Sequence, residues 1–314
     1  MGEKILEILN SPMKSPWFFY IHLMDLHWPL VVPKKFDDEK FGKDKYDRVV
    51  SSIDYYLKKF LDVLNLKDTL IIITSDHGHP IPFDEKDTTS FEPDLGLGLK
   101  IGKKFMPKFS HKFGARIFNK TRETVKNKRL QVANQNLSEY EIRSRLPPFI
   151  QSLFDELVRT PLLFSGYKME SLIIKQQTRS IDIFPTVFDL LGFNHSGKIQ
   201  GKSLLPLIRG DDYEENSCYM HTIPHEKLSD NDQVGIRTSK YKYFRHARNP
   251  LSNIHLYDLT QDTLENKNIY QENSEKIHEM EEIITKFSNF TDDNVLDDEE
   301  EAKIREELKR LGYL

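Results

Sequence analysis

The chain has 314 residues, a net charge of −4 at neutral pH and an isoelectric point near 6.3. That charge balance excludes a general nucleic-acid binder, and the length suffices for one main and one lesser domain. A single cysteine, Cys218, excludes an internal disulfide, and no apolar run reaches the roughly 20 residues of a membrane-crossing helix.

In chain order, the aromatic and β-branched run Trp17-Phe18-Phe19-Tyr20-Ile21 predicts a buried strand. It leads to His22, Asp25 and His27, and Pro29 stops it. After a polar loop, Tyr46, Val49, Val50, Ile53, Leu57, Leu61 and Leu64 recur at helical spacing. Leu70-Ile71-Ile72-Ile73, bounded by polar residues, predicts a second buried strand of the parallel type. Strand, helix and strand together predict a right-handed crossover, with His27 and Asp76 leaving the same edge of one sheet. Thr74-Ser75-Asp76-His77-Gly78 follows directly. A carboxylate beside an imidazole, released by a glycine into a turn, is a candidate pair of metal ligands. The plainer reading makes Asp76 a cap and His77 a loop residue.

Residues 80–153 match no recognised pattern. Within them, residues 100–129 hold eleven Lys or Arg against one acid, Glu123, with Phe105, Phe109, Phe113 and Phe118 interleaved. That composition suits a solvated excursion whose phenylalanines cover the main domain, or a basic surface that attracts an anionic substrate. Pro161 to Phe164 predicts a strand, and Asp182 to Leu191 a helix with Asp182 at its start. Tyr241 to Phe244 and His255 to Tyr257 alternate like strands of a small antiparallel sheet. Asp292 to Glu301 holds seven acids and suits a solvated linker. Ile304, Leu308 and Leu311 then line one face of a final helix.

Several stretches, in this order, resemble a sulfatase, a family of the alkaline phosphatase superfamily. They are FFYIHLMDLHWPLVVP, Tyr46 to Asp54, IIITSDHG, Phe154 to Phe164, Ser180 to Gly192, Ile199 to Ile208, Ile236 to Tyr243 and Leu256 to Leu259. The resemblance implies an α/β fold: an alkaline-phosphatase-like, mostly parallel mixed sheet flanked by helices, without its N-terminal strands. It also implies a partial catalytic domain over residues 1–210, with the basic stretch 80–153 as a variable insertion. Residues 211–314 would form a C-terminal subdomain with a small antiparallel sheet and a terminal helix.

For chemistry, the resemblance matches Asp76 and His77 to the family's pair of ligands for a divalent cation, usually calcium. The imidazole also admits manganese or zinc. It matches His27 to the histidine that faces the leaving-group oxygen. The family's paired aspartates and its C/S-x-P-x-R nucleophile motif have no match in these 314 residues, and Cys218 lacks the required proline and arginine. The chain is therefore expected to be the C-terminal portion of a sulfatase. The sulfate-contacting lysine has no match either, with Lys100, His111 and Lys112 equal candidates. The implied activity is metal-dependent hydrolysis of sulfate esters on a small molecule or glycan. The alternatives are a phosphonate or phosphodiester hydrolase, a phosphoryl transferase, or an inactive remnant serving as an interaction module. Oligomeric state is left open by the sequence. So is the compartment, cytoplasmic as written or exported if the native start lies upstream.

Overall fold

In this computed structural model, residues 2–27, 29–79, 124–144, 152–194, 197, 199–222, 231–288 and 306 are described. They belong to two compact units: residues 1–150 with 154–173, and residues 151–153 with 174–314.

In the first unit, α1 (Gly2–Leu9) presents Ile5 and Leu9 to Phe60 of α2 (Lys45–Val63). Leu6, Met13, Leu23, Tyr56, Leu57 and Leu64 close over this contact. The helical spacing from Tyr46 to Leu64 thus describes a real packed stripe. The Asp44 carboxylate starts α2 by accepting from the Asp47 N–H at 2.9 Å. β1 (Leu70–Thr74) pairs with β2 (Leu162–Gly166), Leu70 opposite Gly166 and Thr74 opposite Leu162. Gly166 ends β2 at φ +80°, and a Cβ there would meet the Thr69 carbonyl oxygen at 2.1 Å.

Two expectations are corrected in this unit. The pairing of β1 is antiparallel, not parallel, and its four aliphatic residues are half-buried. Residues 17–21 carry no ladder, and Phe18 and Tyr20 are 87% and 78% exposed. An aliphatic or aromatic run favours an extended backbone. The direction of pairing is set by partners distant in sequence, and here β2 lies some ninety residues on.

This unit also holds three short α-helices, α3 (residues 124–133), α4 (Glu139–Ser144) and α5 (Asp155–Val158), and 3-10 turns at Lys34–Phe36 and Glu39–Phe41. Of the basic stretch 100–129, only residues 124–129 lie within the described residues, in α3. Lys100, His111, Lys112, the acidic run 292–301 and most of the expected terminal helix lie outside them.

The second unit carries an antiparallel meander, β3 (Cys218–His221), β4 (Gln233–Arg237), β5 (Tyr241–His246) and β6 (His255–Asp258), in that spatial order. The small antiparallel sheet expected near its end is therefore present, two strands wider than the sequence suggested. α8 (Ser274–Ser288) covers one face, where Met280 and Ile284 pack on Val234, Ile236, Tyr243 and Leu256. The expected helix at Asp182 is α6 (Ile183–Leu191), followed by α7 (Leu205–Arg209). The carboxylate of Asp182 is buried and gripped by Arg179, Nη2 at 2.7 Å and Nε at 3.1 Å, and it also accepts from the Lys202 N–H at 2.9 Å. Helices packed with these sheets give the α/β class expected from the sequence. Among the described residues, no helix is long and apolar enough to cross a membrane.

Candidate functional site

The backbone leaves β1 at Thr74 and bends through Asp76 and His77, whose side chains are both exposed. The His77 N–H donates to Oδ1 of the preceding Asp76 at 2.8 Å. Nδ1 of His77 lies 2.7 Å from the Gly78 carbonyl oxygen. A carbonyl can only accept, so Nδ1 carries the proton in that contact. In the neutral ring Nε2 then holds the lone pair, and it stands 3.7 Å from Oδ2 of Asp76. Two ligands of one cation span such a separation at bonds of about 2.1–2.5 Å. The donors fit part of a divalent site: a hard carboxylate oxygen and an imidazole nitrogen in the tautomer a metal needs. Among the described residues no three His, Cys, Asp or Glu gather as a metal cluster.

Gly78 locks the bend from behind. Its N–H donates to the Leu157 carbonyl at 2.7 Å. A Cβ on Gly78 would meet the Glu156 carbonyl oxygen at 2.2 Å, so no larger residue fits without movement. α5 is in turn gripped by Arg143 of α4. Arg143 is 8% exposed, its Nε is 2.8 Å from Oε1 of Glu156, and its guanidinium lies 3.9 Å from the Phe154 ring centre. Tyr46, in the first turn of α2, lies 6.0 Å from the His79 ring. Burial, with help from Asp47 and Asp44, pushes the Tyr46 phenol above its ordinary range.

The structure brings Asp76 and His77 together. It places His27 in the tight turn after Met24, where the His27 N–H donates to the Met24 carbonyl at 3.0 Å and the side chain is exposed. Asp25 lines a small cavity of about 20 Å³ with Leu23, Ser52, Tyr56 and Phe60. Among the described residues, the buried Nδ1 of His22 has no hydrogen-bond partner. Cys218 sits on β3, and burial pushes its thiol up, which suits a packed side chain better than a nucleophile. No sequence pattern marks Arg143 or Glu156 as part of a site. Arg143 falls in the stretch that matches no pattern, and Glu156 lies in one of the runs that resemble the family.

The family model described as Sulfatase matches residues 1–193, and that described as N-sulphoglucosamine sulphohydrolase, C-terminal, matches residues 150–292. The chain belongs to the sulfatase family. It is 28% identical over 129 residues to a Delta 4,5-hexuronate-2-O-sulfatase of Bacteroides thetaiotaomicron, a match covering 38% of this chain and 25% of that protein. It is 25% identical over 146 residues to arylsulfatase K of Mus musculus, covering 44% of this chain and 26% of that protein. Each match thus spans about a quarter of the curated relative's length. A Bacteroides thetaiotaomicron structure associated with the metabolism of multiple glycosaminoglycans has the same fold. Its TM-score is 0.54 at 17% identity, covering 92% of this chain and 53% of that one.

Proposed function

We propose that the protein carrying this chain hydrolyses sulfate esters of a sugar, with Asp76 and His77 holding a divalent cation and His27 serving the leaving group. One observation carries this reading. Nε2 of His77, in its metal-ready tautomer, faces Oδ2 of Asp76 at 3.7 Å at the end of β1, in a chain of the sulfatase family. Calcium is the first expectation, and the imidazole widens the choice to manganese and zinc.

Hydrolysis of a sulfate monoester breaks the bond between sulfur and the bridging oxygen, and the sugar oxygen leaves carrying negative charge. A bound divalent cation supplies positive charge to the non-bridging sulfuryl oxygens. The chain's own residues do the rest of what is assigned here. Asp76 and His77 provide two donors on a rigid bend. His27, in its protonated form, gives its proton to the departing sugar oxygen, and water restores it after release. The family's nucleophile motif has no counterpart in residues 1–314, so the nucleophile is not assigned to any residue of this chain. The hexuronate sulfatase among the relatives supports a sulfated sugar as the substrate class.

The test is metal analysis by inductively coupled plasma mass spectrometry on protein purified from its native source. One divalent ion per chain is expected in the wild type, with loss on Asp76→Ala. Retention of a full equivalent of metal by Asp76→Ala refutes the ligand assignment.

A further inference from the structure

The bend that carries Asp76 and His77 is held by an element that cannot hold itself. α5 has four residues, too few for a self-sustaining helix. Its N-cap, Phe154, makes no side-chain capping bond. Its outward backbone carries the docking point for Gly78 at the Leu157 carbonyl. A further support comes from a side chain of α4. Arg143 grips both the start of α5, through the Phe154 ring at 3.9 Å, and its first turn, through Glu156 at 2.8 Å. The side chains of Arg143 and Glu156 are 9% and 12% exposed, so the pair is little weakened by solvent. Removing Arg143 would take the cation away from a largely buried carboxylate, that of Glu156.

Gly78 passes the constraint on through both of its neighbouring peptides. Gly78 donates through its N–H to Leu157 and accepts through its C=O from Nδ1 of His77. The Gly78 N–H lies in the His77–Gly78 peptide and its C=O in the Gly78–His79 peptide, so docking on α5 holds the residue whose carbonyl receives the His77 Nδ1 proton.

We infer that Arg143 is a positioning residue for the candidate metal pair, acting through Glu156, the α5 backbone and Gly78 on the ring of His77. The inference rests on the assignment of Asp76 and His77 as ligands, but its structural half is testable without metal. Arg143 touches neither metal nor substrate in this account. Its role is to hold the bend so that Nε2 stays turned towards Asp76.

The experiment uses the full 314-residue chain with Arg143→Met, which keeps the apolar stem and removes the charge, and Arg143→Lys as the conservative variant. Amide hydrogen exchange in metal-free protein is read on peptides covering residues 74–79. Arg143→Met is expected to speed exchange at Gly78 about tenfold while the β4–β5 peptides stay unchanged. In protein carrying 13C-labelled histidine, the Mn2+ concentration that half-broadens the His77 ring signal is expected to rise about tenfold. Arg143→Lys should recover most of both effects. Should Arg143→Met not fold, Glu156→Gln, which keeps an acceptor and loses the charge, is expected to show a smaller change in the same direction. Unchanged exchange at Gly78, or acceleration spread equally over α2 and β4–β5, overturns the inference. A wild-type His77 signal that Mn2+ never broadens sinks the ligand assignment alone, and the exchange comparison still decides the role of Arg143.

Discussion

Gly78 and Lys242 show how single positions carry unequal weight in this chain. The missing side chain of Gly78 is what lets the bend close on α5: an added Cβ would lie 2.2 Å from the Glu156 carbonyl oxygen, which is backbone and cannot swing away. Gly78→Ala is therefore expected to cost about 1–3 kcal/mol, read as a lowered urea midpoint, and to weaken any metal bound at Asp76 and His77. Wild-type stability in that variant would contradict the close approach. Lys242 is the opposite case, a charge with no access to water. Its Nζ lies 2.7 Å from Oε1 of Glu265, and both side chains are fully buried. Lys242→Met removes the cation 2.7 Å from a buried carboxylate, and a loss of about 3–5 kcal/mol is expected in chemical denaturation. A loss below 1 kcal/mol would show that Glu265 finds another route to neutrality.

At the scale of elements, α8 is bound to the meander by more than its apolar face. Glu281 accepts from Nε and Nη2 of Arg245 at 2.7 and 2.8 Å and from the Tyr243 hydroxyl at 2.5 Å. Burial pushes the Glu281 carboxyl up, but the hydrogen bonds from Arg245 and Tyr243 outweigh it and hold the carboxyl below its ordinary value of 4.5. Because the folded value lies below the unfolded one, this stabilisation is present above pH 4.5 and is lost as pH falls through the lower, folded value. The stability gap between wild type and Glu281→Gln should therefore shrink as thermal melts move from pH 7 to pH 3. A gap that stays constant with pH would contradict the linkage. The helices and strands themselves were legible where their signal is local. The stripe from Tyr46 to Leu64 became α2, and Tyr241 to Phe244 became most of β5. The partner of β1 was not legible, because strand direction is decided by residues far along the chain. The run Trp17 to Ile21 lacks its expected ladder for the same reason.

Over the whole molecule, the adjacency of Asp76 and His77 was legible because they are neighbours in sequence. The support behind them was not. Arg143 meets Glu156 across thirteen residues, and neither periodicity nor spacing marks the pair. Family membership came from many short fragments in one order, a signal that survives at 25–28% identity. That signal reaches as far as the sheet, the helices and the bend at Asp76. The chemistry assigned to the bend is a claim about the native protein that contains it. The most direct test is release of inorganic sulfate from a sulfated hexuronate by that protein, purified from its source, with a phosphonate monoester assayed in parallel. Sulfate release that exceeds phosphonate turnover and falls at least about a hundredfold in Asp76→Ala is the predicted result. Preferential phosphonate turnover, or undiminished sulfate release by Asp76→Ala, would contradict the account.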